Sequence, residues 1–320
     1  MIEIRRERFL RLELPYREHL TVERAVFRGG SGPRVAVVSG VHGDELEGLY
    51  VCHRLAARLE ALAAERPDAL RGQVELYPAL NPLGLDTLER RVPIYGVDLN
   101  RVFPGHPEGI VPQRLAHATL AALEGAELVI DIHASNVYLR EIPQVRISRS
   151  FEEKLVPLAR RMNLDLVWIH EAVTVLENTI AHSLNDRGVP CLVAEMGVGM
   201  RVTPAYAEQM VTGILHVWRE LGVLDPALEL EAAEHEPLVA DDDNVVYLNA
   251  ETSGMFVACV EHWKEVRRGD LLGRIVSPLR GELLEEVRSP VAGVLFTLRE
   301  YPLVYEGSLL ARIMWTEAPA

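Results

Sequence analysis

Short hydrophobic runs alternate with longer amphipathic segments over roughly the first 225 residues. The short runs predict buried strands, and the longer segments, in which apolar residues recur every three or four positions, predict helices that cover them. This alternation predicts an α/β domain with a mixed or parallel sheet between helices. The predicted strands are RVAVVSG, GQVELYPAL, ELVIDIHA and VPCLVAEMG, and the predicted helices are residues 46–64, 113–123, 151–162, 178–187 and 204–221.

The hydrophobic pattern changes in the last quarter of the chain. The acidic stretch DPALELEAAEHEPLVADDDN has few apolar anchors and predicts a connector. Short strand-like runs between glycines follow over residues 245–314, which predicts a small all-β domain. Two of its segments, VRRGDLLGRIVS and VYEGSLLARIMW, have matched apolar positions and indicate an internal repeat. We therefore divide the chain into an α/β domain, residues 1–235, and a C-terminal β domain, residues 236–320.

The composition is that of a folded protein with an acidic surface. Hydrophobic residues make up 48% of the 320 residues, which is enough to fill a sizeable core. The 33 basic and 47 acidic residues give a net charge of −14, which repels nucleic acid and anionic lipid, so neither is an expected partner. No stretch approaches the ~18 uninterrupted apolar residues of a membrane span, and the first residues lack the apolar core of a signal peptide. We therefore expect a cytoplasmic protein.

The three cysteines, Cys52, Cys191 and Cys259, lie far apart and have no CxxC spacing. Their odd number and their spacing argue against a disulfide framework and against a thiolate metal site. We expect all three to be buried as small apolar residues. No sequence signal bears on the oligomeric state, and a homo-oligomer is expected only from the frequency of such assemblies.

The segment VSGVHGDELEG places a histidine and three carboxylates among glycines, directly after a predicted strand. His42 and Glu45 form an HxxE pair, and an imidazole nitrogen and a carboxylate oxygen are ligands that suit Zn²⁺. Gly40 and Gly43 would let the backbone turn tightly enough to aim both side chains at one point. Taken alone, the pair has a second interpretation, in which Glu45 interacts with a helix dipole and His42 is a loop residue.

A second histidine, at the end of another predicted strand, favours the metal site. His133 ends the buried run ELVIDIH, and α/β sheets bind ligands beyond the carboxyl ends of their strands. A His/Glu/His set leaves one zinc position open, which is the arrangement of a catalytic zinc site. Asp131, on the same face of the strand, is a candidate carboxylate supporting this site, and the cap of a neighbouring loop is its alternative role.

Two further polar segments follow the same pattern. The loop segment DLNRVFPG contains Asn100 and Arg101, and a carboxamide beside a guanidinium can hold a carboxylate. A surface salt-bridge network is the alternative interpretation of this loop. Glu195 follows a buried apolar run in VPCLVAEMGVG, where a carboxylate must be paired, solvated or raised in pKa. A raised pKa suits a general base, and a structural pairing with an arginine is the alternative.

Four ordered motifs resemble one known family. GVHGDELEG, DLNRVFPG, DIHAS and VAEMGVG, within residues 30–220, are similar to the succinylglutamate desuccinylase/aspartoacylase family, a branch of the zinc carboxypeptidase-like fold. The resemblance implies a mixed sheet flanked by helices and one Zn²⁺ per chain. It also implies a zinc-dependent amidohydrolase for linear amides, a deacylase that converts a small N-acyl amino acid into a carboxylate and a free amine.

The resemblance also assigns roles to the metal ligands and to the base. His42, Glu45 and His133 would be the zinc ligands of the α/β domain. Glu195 would be the general base that takes a proton from the attacking water and returns it to the leaving amine. A poor leaving nitrogen requires such a proton, so the chemistry of an amide agrees with this assignment.

Polar residues before and within the DLNR loop receive substrate roles from the same resemblance. Asn100 and Arg101 match the pair that holds the substrate's carboxylate. An arginine upstream of this loop would polarise the scissile carbonyl, and both Arg90 and Arg91 fit that description. We select Arg91 as the catalytic residue and Arg90 as a substrate-binding residue.

The acyl group is not specified by these motifs. A succinyl or aspartyl substrate would need further cations, for which Arg140 and Arg146 are candidates, whereas an acetyl group needs only a small pocket. Two other functions stay open: a metallocarboxypeptidase acting on short peptides, and a non-enzymatic zinc-binding module.

The C-terminal β domain resembles the barrel-sandwich fold of biotinyl and lipoyl carriers, through VRRGDLLGRI, VRSPVAGVL and VYEGSLLARI. Carriers modify a lysine at a hairpin tip, which would fall near residues 277–280 of this chain. No lysine is there, so a swinging arm is not expected. The resemblance to the succinylglutamate desuccinylase/aspartoacylase family implies that this domain walls the active-site cleft and excludes long peptides.

Overall fold

The computed structural model describes residues 1–16, 19–171 and 177–315. Helices and strands alternate through most of the first 235 residues, as the hydrophobic pattern predicts. The strands of this part are β1 (Glu3–Leu12), β2 (Leu20–Arg28), β3 (Arg34–Val38), β4 (Gln73–Tyr77), β5 (Leu128–His133), β6 (Leu139–Ser148), β7 (Leu166–His170) and β8 (Cys191–Gly197). The helices are α1 (Glu47–Glu65), α2 (Pro82–Thr87), α3 (Val111–Leu123), α4 (Glu152–Ala159), α5 (Ile180–Asp186) and α6 (Pro204–Glu220).

The centre of the main sheet is parallel, in the order β4-β3-β5-β8. Its strands are mostly apolar because helices cover both faces. In β3, Val35 and Val37 pack in a core with Leu55 of α1 and Trp218 of α6. Ala36 and Val38 point to the opposite face and join a second core with α3 and α5. The predicted α/β class, a mixed sheet flanked by helices, is confirmed.

The N-terminal hairpin is a feature that the sequence analysis missed. β1 and β2 pair antiparallel and extend the sheet beside β4. The sequence EIRRERFLRL carries charges at most positions, and the strand lies at the edge of the sheet, where both faces reach solvent.

Helix α4 also differs from its prediction, because it ends at Ala159 rather than at residue 162. Within the described ranges, no helix combines the length and apolar character needed to cross a bilayer.

The chain after residue 235 is built of β-strands and contains no α-helix among the described residues. Its strands are β9 (Leu238–Asp241), β10 (Val245–Asn249), β11 (Gly254–Ala258), β12 (Lys264–Val266), β13 (Leu271–Ser277), β14 (Glu282–Arg288), β15 (Gly293–Arg299), β16 (Leu303–Val304) and β17 (Leu309–Trp315). Four of them, β11, β13, β14 and β16, form a separate sheet, whereas β15, β17 and β10 continue the main sheet through pairing of β15 with β6. The division of the chain at residue 235 stays a prediction, and the hydrogen-bonded sheet runs across it.

The cysteines occupy two kinds of environment. Cys52 of α1 and Cys191 of β8 are buried, as expected. Cys259 is exposed, in the turn after β11, so the expectation that all three are buried is wrong for this residue. The run around it, MFVACV, is apolar, but Cys259 lies in the loop that follows β11 and reaches the surface there.

Candidate active site

The turn between β3 and α1 brings His42 and Glu45 to the carboxyl edge of the sheet. Gly40 has a φ of 61°, a left-handed conformation that suits glycine, and α1 begins only seven residues later at Glu47. Gly48 lies so close to the strands that a Cβ there would lie 2.1 Å from Ser39 Oγ. The start of α1 therefore packs directly on the strand ends.

Three buried side chains meet at this edge. His42 and Glu45 are 2% and 3% exposed, and His133, at the end of β5, is 4% exposed. Nδ1 of His42 lies 2.8 Å from Glu45 Oε1, and Nδ1 of His133 lies 2.8 Å from Glu45 Oε2. Across the described ranges, this is the one group of three potential metal ligands whose ligand atoms all lie within 4.8 Å of one another.

A carboxylate stands behind each of the two imidazoles. Nε2 of His42 lies 2.9 Å from Asp98, and Nε2 of His133 lies 3.0 Å from Asp131. Carboxylates in this position fix the ring orientation of metal-binding histidines and leave the other ring nitrogen for the ion. The sequence predicts such a role for Asp131 but not for Asp98, whose place beside Asn100 in the DLNR segment is the available signal.

The electrostatics of the cluster favour a bound cation. Burial lowers the pKa of His133, but Asp131 and Glu45 outweigh it and hold that pKa well above its ordinary value. The pKa of His42 is raised in the same way, against burial, by Glu45 and Asp98. Burial raises the pKa of Glu45, and the two histidines lower it by more, so it lies well below its usual value. The carboxylates thus stabilise positive charge between them, which fits Zn²⁺ as well as protons.

The two adjacent arginines point in different directions. Arg90 Nη1 donates to Glu45 Oε1 at 2.6 Å, and Arg90 lines the cavity next to the histidines. Arg91 is exposed, and its Nη1 donates to the carbonyl of Gly96 instead. Of the two arginines, Arg90 lines the cavity and Arg91, the residue selected from the sequence, points away from it.

The DLNR segment forms a short turn at the rim of the site. The side chain of Asp98 accepts a hydrogen bond from the backbone N–H of Asn100, at 2.8 Å. Asn100 Oδ1 in turn accepts from the backbone N–H of Ile180, which ties the turn to α5. Arg101 donates to the carbonyl of Asn100 and forms no ion pair with the residues that the structure describes. A salt-bridge network therefore does not account for Arg101.

Glu195 lies beside His133 because β5 and β8 are parallel neighbours with these two residues in register. Its carboxylate accepts a hydrogen bond from Arg146 Nη1 at 3.1 Å. Burial raises the pKa of Glu195 above its ordinary value, and the Arg146 guanidinium opposes part of this rise. Both interpretations offered by the sequence are thus present together, a raised pKa and a pairing with an arginine.

A cavity of about 520 Å³ connects these groups. It is bounded by the histidine pair, Glu195, Arg90, Asn100 and Arg101, and also by residues of the C-terminal part. Arg140, a candidate pocket residue from the sequence, instead pairs with Glu300 and borders a separate cavity. Five further lining residues belong to no motif of the sequence: Glu141, Trp168, Asp242, Tyr247 and Arg312.

The sequence of this chain is similar to a known family model and to a deacetylase. Residues 31–221 match the model of the succinylglutamate desuccinylase/aspartoacylase catalytic domain. An N-alpha-acetyl-L-2,4-diaminobutyric acid deacetylase from Halomonas elongata is 25% identical over 265 residues, which cover 80% of this chain and 74% of that protein.

Solved structures share nearly the whole fold. The product-bound ectoine utilization protein EutE (DoeB) from Ruegeria pomeroyi superimposes with a TM-score of 0.82 at 23% identity, covering 98% of this chain and 95% of that chain. A succinylglutamate desuccinylase/aspartoacylase from Rhodobacter sphaeroides has a TM-score of 0.81 at 25% identity, with coverage of 98% and 96%. The likeness therefore extends beyond the part matched by the family model and includes the C-terminal strands.

Proposed function

The chain belongs to the succinylglutamate desuccinylase/aspartoacylase family and is an enzyme of a hydrolytic deacylase type, and we propose that it is a zinc-dependent deacylase of small N-acyl amino acids. The observation that carries this proposal is the buried His42–Glu45–His133 cluster, which shares one cavity with Glu195. The three donors suit zinc in type and number, and they leave one position open.

The proposed zinc ligands are Nδ1 of His42, Nδ1 of His133 and the carboxylate of Glu45. A zinc ion bound there supplies Lewis acidity, which makes a water nucleophile available near neutral pH. Asp98 and Asp131 hold the two imidazole rings through their Nε2 atoms, so that both Nδ1 atoms face Glu45. The two aspartates thereby set the ring orientation that zinc ligation by His42 and His133 requires.

We assign the proton transfers to Glu195. Its carboxylate takes a proton from water as the water oxygen forms a bond to the acyl carbon, and it then gives that proton to the amine nitrogen as the C–N bond breaks. A pKa raised by burial suits a group that must both accept and donate a proton near neutral pH. Arg90 is positioned to stabilise the negative charge that develops on the carbonyl oxygen.

The charges of the cavity favour a substrate with one carboxylate. Four arginines line the cavity, and three of them pair with carboxylates: Arg90 with Glu45, and both Arg146 and Arg312 with Glu141. Among the arginines that line the described part of the cavity, Arg101 is the one that forms no ion pair. We therefore assign the amino-acid carboxylate of the substrate to Arg101 and Asn100, by charge-assisted hydrogen bonds.

The pairing of the cavity arginines also limits the charge of the acyl group. A succinyl or aspartyl group would bring a second carboxylate into the cavity, and an unpaired buried charge is costly. Arg146 is already engaged by two carboxylates, and Arg140 lies outside the cavity. An uncharged acyl group, such as acetyl, is therefore the proposed substrate class.

The experiment is mass-spectrometric product analysis of the zinc-loaded protein with a mixed panel of N-acetyl and N-succinyl amino acids and short peptides. We expect free amine from N-acetyl amino acids and none from their N-succinyl counterparts. Glu195→Gln is the control, since it keeps the shape of the side chain and removes its basicity. Release of C-terminal residues from peptides would instead support a carboxypeptidase, and turnover of only N-succinyl substrates would contradict the proposed acyl group.

A further inference from the structure

A row of polar residues crosses the main sheet beside the proposed site. Strand register places Glu141 of β6 opposite Thr297 of β15, and Thr297 opposite Arg312 of β17. On the other side, Glu141 is opposite Gly197 of β8, two residues after Glu195. The row therefore runs from the C-terminal strands to the strand that carries the proposed base.

Glu141 is the centre of this row and is almost completely buried, with 1% of its surface exposed. Its Oε1 accepts hydrogen bonds from Arg146 Nη2 at 3.0 Å and from Arg312 Nη1 at 2.9 Å. Its Oε2 accepts from Gln144 Nε2 at 2.9 Å and from Thr297 Oγ1 at 2.5 Å. An ionised carboxylate has about four acceptor sites, and all of them are used here. Glu141 is thus fixed in place and has no capacity left for a substrate.

Arg146 connects this fixed carboxylate to the proposed base. Its Nη2 donates to Glu141, and its Nη1 donates to Glu195 Oε1 at 3.1 Å. The guanidinium carbon also lies 5.2 Å from the ring centre of Trp168, and that of Arg312 lies 5.1 Å from the same ring. A planar guanidinium held by a carboxylate and an aromatic face has little freedom to rotate.

We infer that Arg146 is a positioning residue for Glu195, and that Glu141, together with Thr297 and Arg312 of the C-terminal strands, holds Arg146 in place. This inference rests on the proposed function, because it gives Glu195 the role of general base. The fixed guanidinium presents one N–H to Glu195 Oε1 and leaves the second carboxylate oxygen for the proton transfers. The C-terminal strands then act on the reaction through a hydrogen-bonded chain of side chains.

The alternative role for Arg146 is direct binding of a substrate carboxylate, and kinetics separate the two. A positioning residue acts in the chemical step, so its loss lowers kcat, whereas loss of a substrate-binding group raises KM. Arg146→Met keeps most of the side-chain volume and removes the donors. We expect it to lower kcat by about 10- to 100-fold with KM changed by less than about 3-fold, a size typical of groups that orient reactive side chains.

Three further variants test the chain of contacts, and a fourth is their control. Thr297→Val is nearly isosteric and removes one donor to Glu141, so we expect a smaller fall in kcat with KM unchanged. In an Arg146→Met background the same substitution should have no further effect on kcat, because it acts through Arg146. Arg146→Lys restores a positive charge and should therefore recover part of the kcat lost in Arg146→Met. The recovery should be incomplete, because one ammonium cannot bridge the carboxylates of Glu141 and Glu195. Arg140→Met is the matched control, on the same strand but outside the cavity, and should leave both parameters unchanged.

A crystal structure of Arg146→Met supplies a readout that does not depend on turnover. We expect the Glu195 carboxylate to leave its position or to become disordered. An unmoved Glu195, an unchanged kcat, or a change confined to KM would each overturn the inference. If the unmodified protein turned over nothing in the panel, the proposed function would fail, and the position of Glu195 in this crystal structure would still decide whether Arg146 holds it.

Discussion

Nε2 of His42 lies 2.9 Å from Oδ1 of Asp98, although the two residues are 56 positions apart in the chain. The same carboxylate accepts a hydrogen bond from the backbone N–H of Asn100. One side chain therefore orients a proposed metal ligand and also shapes the turn that carries the proposed substrate-binding residues. A change in Asp98 should consequently be felt on both sides of the site.

We expect Asp98→Asn to weaken zinc binding by about 10- to 100-fold, because the amide removes the negative charge that orients and polarises His42. Competition with a chromogenic chelator measures this affinity. Asp86→Asn is the matched control, since Asp86 lies nearby in α2 but is exposed. Equal zinc affinity of Asp98→Asn and the unmodified protein would show that the contact does not support the metal.

The neighbouring arginines offer a paired test of the proposed carbonyl-polarising role. Arg90→Met should lower kcat/KM by about 100-fold or more, the size seen when a donor to a developing oxyanion is removed. Arg91→Met should change it by less than about 3-fold, because the Arg91 side chain is exposed and donates to the Gly96 carbonyl rather than into the cavity. Steady-state kinetics with an N-acetyl amino acid measure both, and a larger effect at Arg91 would reverse the assignment.

Gly48 provides a stability test of the packing between α1 and the strand ends. Alanine normally stabilises a helix relative to glycine by about 1 kcal/mol. A Cβ at this position would overlap Ser39 Oγ, so we expect Gly48→Ala to destabilise the protein by about 1–3 kcal/mol. Urea unfolding measures the change. As a comparison, Ala57→Gly at an exposed position of the same helix should cost about 1 kcal/mol, so a stabilised Gly48→Ala would disprove the close contact.

The burial of the cysteines predicts which thiols react with a disulfide reagent. Burial raises the pKa of the Cys52 thiol to about 12 and holds the pKa of Cys191 well above its ordinary value. At neutral pH these two are thiols rather than thiolates, and only thiolates react quickly with disulfide reagents. The folded protein should therefore release one equivalent of chromophore from Ellman's reagent, and the unfolded protein three. Cys259→Ser should abolish the rapid reaction, and its persistence would locate the reactive thiol elsewhere.

The meeting of His42, His133 and Glu195 at one edge could be predicted because it follows from strand direction. Each residue lies at or near the carboxyl end of an apolar run, and parallel neighbours bring those ends together. The strand runs themselves were recognisable because burial on both faces leaves them apolar. The four predicted strands match β3, β4, β5 and β8 apart from their ends, whereas β1, β2, β6 and β7 were not predicted.

The choice between Arg90 and Arg91 could not be made from the sequence, because consecutive side chains in a loop have no fixed periodicity. Their directions depend on the local fold of the loop, in which Val92 pairs with Val97 and Ile94 has a φ of 73°. The contact of Asp98 with His42 has the same origin, since it depends on how this loop returns to the strand ends.

The row of polar residues across the main sheet could not be predicted from the sequence for a different reason. Glu141, Thr297 and Arg312 become neighbours only through the pairing of β6 with β15 and of β15 with β17. Such pairing depends on register over more than 150 residues of chain, which no local pattern specifies. The composition of the C-terminal part predicted β-strands but not that they extend the main sheet.

The row formed by Glu141, Thr297 and Arg312 is completed only at the end of protein synthesis. A ribosome builds the three proposed zinc ligands and Glu195 well before β17, the last strand of the described residues. A nascent chain whose β17 is still inside the ribosome lacks the Arg312 guanidinium that completes the contacts of Glu141. Hydrolytic competence would then arrive late, with the final strand, and a premature stop codon just before Arg312 would leave a chain that retains the metal ligands yet lacks a well-placed base.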